Sequence, residues 1–250
     1  MGETLSSLVS VRGQFQLTPS MRAMRMDELA RRMSALIETF LPSATLGCDI
    51  GPETGNLARE LSRMRGMRFQ GVEPDLRQDV EVLEGIRVVR GWAHQIPFED
   101  GSFDVITLTG VYEHIDPQWR AQSLAEMKRV LRPGGILVGE MPNMYFPIET
   151  HSALPFQQFL PRRLGDAYVK AFDNVMMRKG GMFWFRVGVA QLIRDANRAG
   201  LTCVYLKGSN FSSKTLPPFF RVGTPILRLI PLSYDFCFVR NLARAPQKWN

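Results

Sequence analysis

A single carboxylate, Asp49, sits inside the short apolar run that opens "LGCDIGPETGNLA" (Leu46 to Ala58). The run stops at Gly51, a second carboxylate, Glu53, stands in the turn, and Gly55 precedes a helix-like pattern. Glycine lets a backbone turn sharply and approach a ligand closely, and a helix start offers free N–H groups. Glu73 closes the next apolar run, 22 residues after Gly51. That spacing suits a carboxylate taking hydrogen bonds from both ribose hydroxyls of an adenosine cofactor. A dinucleotide would place a pyrophosphate on this turn and would want G-x-G-x-x-G. Asp49 and Glu53 would repel a pyrophosphate, whereas they suit the ammonium of an amino-acid-like cofactor. The residues therefore point to S-adenosylmethionine.

The elements that must hold these groups follow from periodicity. Leu29, Met33, Leu36, Ile37, Phe40 and Leu41 predict an amphipathic helix over 21–41, ended by Pro42. Strands are expected at 45–50, up to Glu73, at 86–92, at 103–111 and at 136–143, with helices from Thr54 and over "PQWRAQSLAEMKRVLRPGG", the latter stopped by Pro133 and Gly134. The run "FDVITLTGV" is almost wholly apolar, as a strand covered on both faces should be. Residues 144–183 break the rhythm and are too long for an ordinary connection. A helix ending at Gly200, a strand at 201–208 and a last strand in 231–243 complete the pattern. Alternating strands and helices predict a three-layer α/β fold with a parallel sheet. In such sheets ligands bind beyond the carboxyl ends of the strands, where the topology switches.

Four blocks occur in family order and resemble the class I S-adenosylmethionine-dependent methyltransferases of the bacterial type 11 kind: "DIGPETG", "GVEPD", "GWAHQIPFEDGSFDVITLTGVYEHI" and "MKRVLRPGGILVGEMPN". The resemblance implies a doubly wound, seven-stranded, mostly parallel Rossmann-like sheet with the last strand antiparallel. It implies one domain over 1–250: an N-terminal helical extension (1–44), a cofactor-binding core (45–143), a lid insertion (144–183) and the C-terminal half of the sheet (184–250). By position, Asp49, Gly51, Glu53 and Gly55 would line the methionine end of the cofactor and Glu73 its ribose. Ala93, His94 and Ile96 would lie near the adenine, and Val111 would close the pocket. Two residues depart from the family pattern. Glu53 stands where a middle glycine is usual, and Trp92 stands where an aspartate often contacts the adenine.

The chain has three histidines, His94, His114 and His151, each after a predicted strand on the expected cofactor edge. Histidine accepts a proton near neutral pH, as methylation of a hydroxyl requires. His114, His151 and Glu149 are the candidate catalytic residues, Glu149 and His151 being the polar points of the lid. No close pair of ligands favours a metal. The lid resembles, more loosely, bacterial methyltransferases acting on surface polysaccharides, so the expected reaction is O-methylation of a sugar or other small hydroxylated molecule.

Among 250 residues, Lys plus Arg exceed Asp plus Glu by 31 − 24 = 7. Basicity keeps an RNA methyltransferase in view, but no aromatic-basic platform accompanies it. An inactive methyltransferase-fold partner protein and a nicotinamide oxidoreductase are the other readings. Three scattered cysteines argue against a disulfide framework. No apolar run reaches the ~18 residues of a membrane span, and the expected location is cytoplasmic. The stretch "LPPFFRVGTPILRLIPL" (216–232) allows a peripheral membrane contact.

Overall fold

In a computed structural model of the chain, the described residues are 19–149, 154–171, 185–210 and 229–241. They begin with helix α1 (Pro19–Phe40), followed by β1 (Leu46–Ile50), α2 (Asn56–Arg65), β2 (Arg68–Glu73), β3 (Val80–Leu83), β4 (Ile86–Arg90) and β5 (Phe103–Thr109). Then come α3 (Pro117–Val130), β6 (Leu131–Pro142), α4 (Arg162–Ala171), α5 (Val189–Ala199), β7 (Leu201–Ser209) and β8 (Ser233–Arg240). The eight strands form one sheet in the order β3-β4-β2-β1-β5-β6-β8-β7. Strands β4, β2, β1, β5 and β6 pair in parallel. β8 is antiparallel to both its neighbours, and β3 is antiparallel to β4.

The sheet is buried on both faces. One apolar cluster joins alternate residues of β1, β5 and β6 (Ile50, Ile106, Leu137) to α3 and α5 through Leu124, Met127, Leu192 and Ala196. The other joins the intervening residues (Val105, Ile136, Val138, Cys237) to α1 and α2 through Met33, Ile37, Leu57 and Leu61. Each Leu, Ile or Met so buried contributes about 1.5–3 kcal/mol. The period-two split of β5 between clusters is why that run had to be apolar throughout.

The sequence reading differs from the structure at two places. The sheet has eight strands rather than seven, because Val80–Leu83 forms an extra edge strand. Glu84 and Gly85 both have positive φ, at 51° and 83°, the pairing that a two-residue hairpin turn matching strand twist requires. The second difference lies after α3, which ends at Val130 and does not run on to Pro133. Leu131 is already extended and pairs with Phe103, and regular pairing of β6 resumes at Ile136.

α1 is pinned by charge as well as by packing. Arg32 donates to both carboxylate oxygens of Asp235 on β8 at 2.8 and 3.0 Å and lies 3.4 Å from Glu140 on β6. Burial, partly offset by Arg32, pushes the Asp235 carboxyl up to about 6.

Candidate functional site

β1 lies between β2 and β5, so the chain leaves the sheet in opposite directions on either side of it. Such a switch point opens a crevice beyond the carboxyl ends of the strands. Asp49, Gly51, Glu53, Gly55 and Glu73 all fall at this edge, on the ends of β1 and β2 and the turn into α2.

The turn is shaped by left-handed backbone. Gly51 and Gly55 have φ of 69° and 77°. A Cβ on Gly51 would stand 2.7 Å from Val111 Cγ2, and one on Gly55 would stand 2.7 Å from the Leu83 carbonyl oxygen. Val111, just past β5, therefore packs directly over the glycine turn, and the extra hairpin packs against its far end. Glu53 also has positive φ, 50°. The position that often carries glycine thus keeps the left-handed conformation and exposes a carboxylate.

The acidic groups are preset. Asp49 is 2% exposed, and the Thr107 hydroxyl donates to its Oδ1 at 2.6 Å. Burial, with the nearby Glu73 charge adding to it, raises its carboxyl to about 7 against the opposing Thr107 bond. Half-buried Glu73 accepts backbone N–H bonds from Asp75, at 3.3 Å, and from Glu53, while burial raises its pKa. A carboxylate already oriented by backbone donors, beside a cradle that tolerates no extra Cβ, fits an adenosyl amino acid. Its ammonium would meet Asp49 and Glu53, and its ribose would meet Glu73.

The residues beyond β4 divide. Ala93 is partly buried against the core. Ile96 is 3% exposed, a core residue whose N–H donates to Glu126 at 3.0 Å. His94 stacks on Trp119, with ring centroids 4.5 Å apart and planes 13° apart, and lies 5.9 Å from the Trp92 ring. Trp92 is 56% exposed.

A small, open cleft lies beyond β5 and β6. Its polar lining comprises Glu113, Asn143, Glu149, Gln158 and Arg186. Glu113, Asn143, Glu149 and Gln158 are all buried. Glu149 is held by its backbone N–H, which donates to Leu154 at 3.0 Å. His114 ends the short 3-10 helix Tyr112–His114, half-buried, and does not line the cleft; Glu113, one residue earlier, does. His151 lies outside the described residues. His114 has the titration range of a base, but it is its neighbour Glu113 that lines the cleft. Asn143, Gln158 and Arg186 had no spacing signal, because the fold gathers them from separate segments. Among the described residues, no group of three His, Cys, Asp or Glu could hold a metal ion, and no helix is long and apolar enough to cross a membrane.

The model of a methyltransferase domain matches residues 34–139, the stretch from α1 through β6. An uncharacterized methyltransferase of Mycobacterium avium (strain 104) is 31% identical over 200 residues, covering 75% of this chain and 78% of that relative. One of Mycobacterium sp. (strain JLS) is 34% identical over 145 residues, covering 54% of this chain, so the match spans just over half (56%) of that relative's length. Among solved structures, the Burkholderia thailandensis 1,6-didemethyltoxoflavin-N1-methyltransferase, with bound 1,6-didemethyltoxoflavin and S-adenosylhomocysteine, has the same fold. It aligns with a TM-score of 0.55 at 17% identity, over 94% of this chain and 86% of that one. With the glycine turn, the two strand-end carboxylates and the switch-point crevice in place, the chain belongs to the class I S-adenosylmethionine-dependent methyltransferase family.

Proposed function

We propose that the protein methylates an oxygen of a small hydroxylated molecule, such as a sugar unit, held in the cleft beyond β5 and β6. The observation that carries this reading is the set of buried carboxylates in that cleft, Glu113 and Glu149, with Glu113 two residues after Val111, which packs on the glycine turn. A hydroxyl must lose its proton as it is methylated, and a positioned carboxylate can take it.

S-adenosylmethionine, when bound, supplies a methyl group on a positively charged sulfur. Asp49 and Glu53 would hold its ammonium and Glu73 its ribose hydroxyls, while Val111 closes over the turn. Trp92 and His94 would bound the adenine side, where an indole offers a stacking face in place of an acidic hydrogen-bond acceptor. Positioning supplies much of the rate, because a held acceptor replaces a bimolecular encounter. Glu149 would accept the hydroxyl proton as the new O–CH3 bond forms and the C–S bond breaks, with S-adenosylhomocysteine leaving. Glu113 would orient the acceptor. His114 stands behind Glu113 as the second candidate base, and His151 remains a candidate.

The test is transfer of labelled methyl from S-adenosylmethionine to a panel of monosaccharides, polyols and phenols, with the product located by NMR. O-methyl product from wild type that falls sharply in Glu149→Gln supports the reading. Methyl found on nitrogen or carbon, or on RNA, refutes it.

A further inference from the structure

We infer that the acceptor is amphipathic: its hydroxylated head enters the cleft and its apolar chain lies across exposed aromatic rings at the cleft's mouth. The inference rests on the reading of the cleft as the acceptor site.

Phe156 carries the argument. It has φ of 58°, a left-handed backbone that an aromatic residue rarely adopts, and its side chain is nonetheless 60% exposed. Local bonds hold it there. Its N–H donates to the Pro147 carbonyl at 2.7 Å, and Ile148 pairs with Pro155. Phe159, 50% exposed, places its ring centroid 6.4 Å from that of Phe156. A turn that spends backbone strain to hold a ring in water marks a surface that meets something apolar.

In the chain, the two ring-bearing residues flank the cleft lining. Gln158 lies between them and lines the cleft, as does Ile148. Tyr145, 65% exposed, likewise follows a lining residue, Met144. Inside, the polarity changes. The Asn143 amide nitrogen is spent on Pro231 and the Gln158 amide nitrogen on Phe146. Gln158 is 5% exposed, and its Oε1 has no hydrogen-bond partner. A buried acceptor left unmatched is costly, and a donor-bearing head would satisfy it. Acceptor groups inside and aromatic faces at the mouth match one molecule with a hydroxylated end and a hydrocarbon end.

The experiment is calorimetric titration with n-hexyl, n-octyl and n-decyl β-D-glucosides, all below their micelle concentrations. A parallel series with alkyl dimethylamine oxides lacks hydroxyls. Wild type is compared with Phe156→Gly and Phe159→Ala. Glycine adopts positive φ freely, so Phe156→Gly should melt no lower than wild type, and its losses cannot be laid to misfolding. A chain lying on an open face buries about half its surface, so affinity should rise about fourfold for every two methylenes in wild type. The rise should be nearly flat in Phe156→Gly. Equal affinities along both series, or the same slope in both variants, would overturn the inference. So would a flat series beside Phe156-dependent sedimentation with anionic phospholipid vesicles, which would assign the rings to a bilayer. A steep series without methyl transfer to any glucoside would support the chain site and count against the hydroxyl reading of the cleft.

Discussion

The Thr107 hydroxyl donates to Asp49 Oδ1 across the β1–β5 pair, at 2.6 Å, inside the sheet. It is the one side-chain bond given to a carboxylate that is otherwise shut from water, and it does not offset the burial: the Asp49 carboxyl stands near 7 rather than at the ordinary 3.8. A proton is therefore held on Asp49 at mildly acid pH and released near neutrality.

Cofactor affinity should follow that proton. An ammonium is attracted to ionised Asp49 and not to the acid form. Ionisation rises from about one tenth at pH 6 to about nine tenths at pH 8 for a group near 7, so affinity should rise about tenfold across that range. Asp49→Asn should bind weakly and without this dependence. Titration calorimetry at pH 6, 7 and 8 checks it. Stability moves the other way. The folded pKa is raised above the unfolded one, so the contribution of Asp49 is fully present below about pH 4 and is lost as pH rises through about 7. Free of ligand, Asp49→Asn should gain more in melting temperature over wild type at pH 8 than at pH 5.

The left-handed turn should respond in opposite senses at its two ends. Glu53→Gly removes a strain of about 1 kcal/mol and should raise the melting temperature by about 2 °C. Gly55→Ala forces a Cβ to 2.7 Å from the Leu83 carbonyl oxygen at φ 77°. It should cost about 2 kcal/mol or more, and Leu83→Ala should not rescue it, because the clash is with backbone. Differential scanning calorimetry of the three variants decides the point.

Arg32 should matter through the charges it leaves behind. Arg32→Met keeps most of the apolar stem but strands Asp235, which is 5% exposed, and Glu140. Breaking such a pair costs about 3 kcal/mol at pH 7. Asp235 already stands near 6 and would rise further, so the loss should shrink below that pH as it takes a proton. Urea melts at pH 5 and 7 measure the difference.

The cleft carboxylates should separate from the histidine. Glu149→Gln should lower kcat about a hundredfold, the scale of a lost general base, with cofactor affinity unchanged. Glu113→Gln should raise KM more than it lowers kcat. His114→Gln should change either constant by less than about threefold. Steady-state kinetics on any acceptor found by the labelled-methyl screen tests all three.

The legible part of the molecule was local. β1, its turn and α2 could be read because a strand, two glycines and a helix pattern follow one another within twenty consecutive residues, Leu46 to Arg65, and Glu73 because strand ends carry their own apolar signature. β3 was hidden: Val80–Leu83 is a run of four residues, too short for periodicity, and the turn at Glu84–Gly85 needs a left-handed glutamate that composition does not advertise. The end of α3 was misplaced because Pro133 and Gly134 look like a stop signal, whereas Leu131 had already been captured by Phe103 on β5. The cleft was least legible. Glu113, Asn143, Gln158 and Arg186 meet only through tertiary folding, and nothing in their spacing announces it.

The most direct test is titration of the purified protein with S-adenosylmethionine and S-adenosylhomocysteine, beside NAD and beside Glu73→Ala. Both adenosyl ligands should bind in the micromolar range, with a loss of about tenfold or more in Glu73→Ala, as expected when a ribose-binding carboxylate is removed, and NAD should not bind. Absence of heat with both adenosyl ligands, or preference for NAD, would contradict the cofactor assignment.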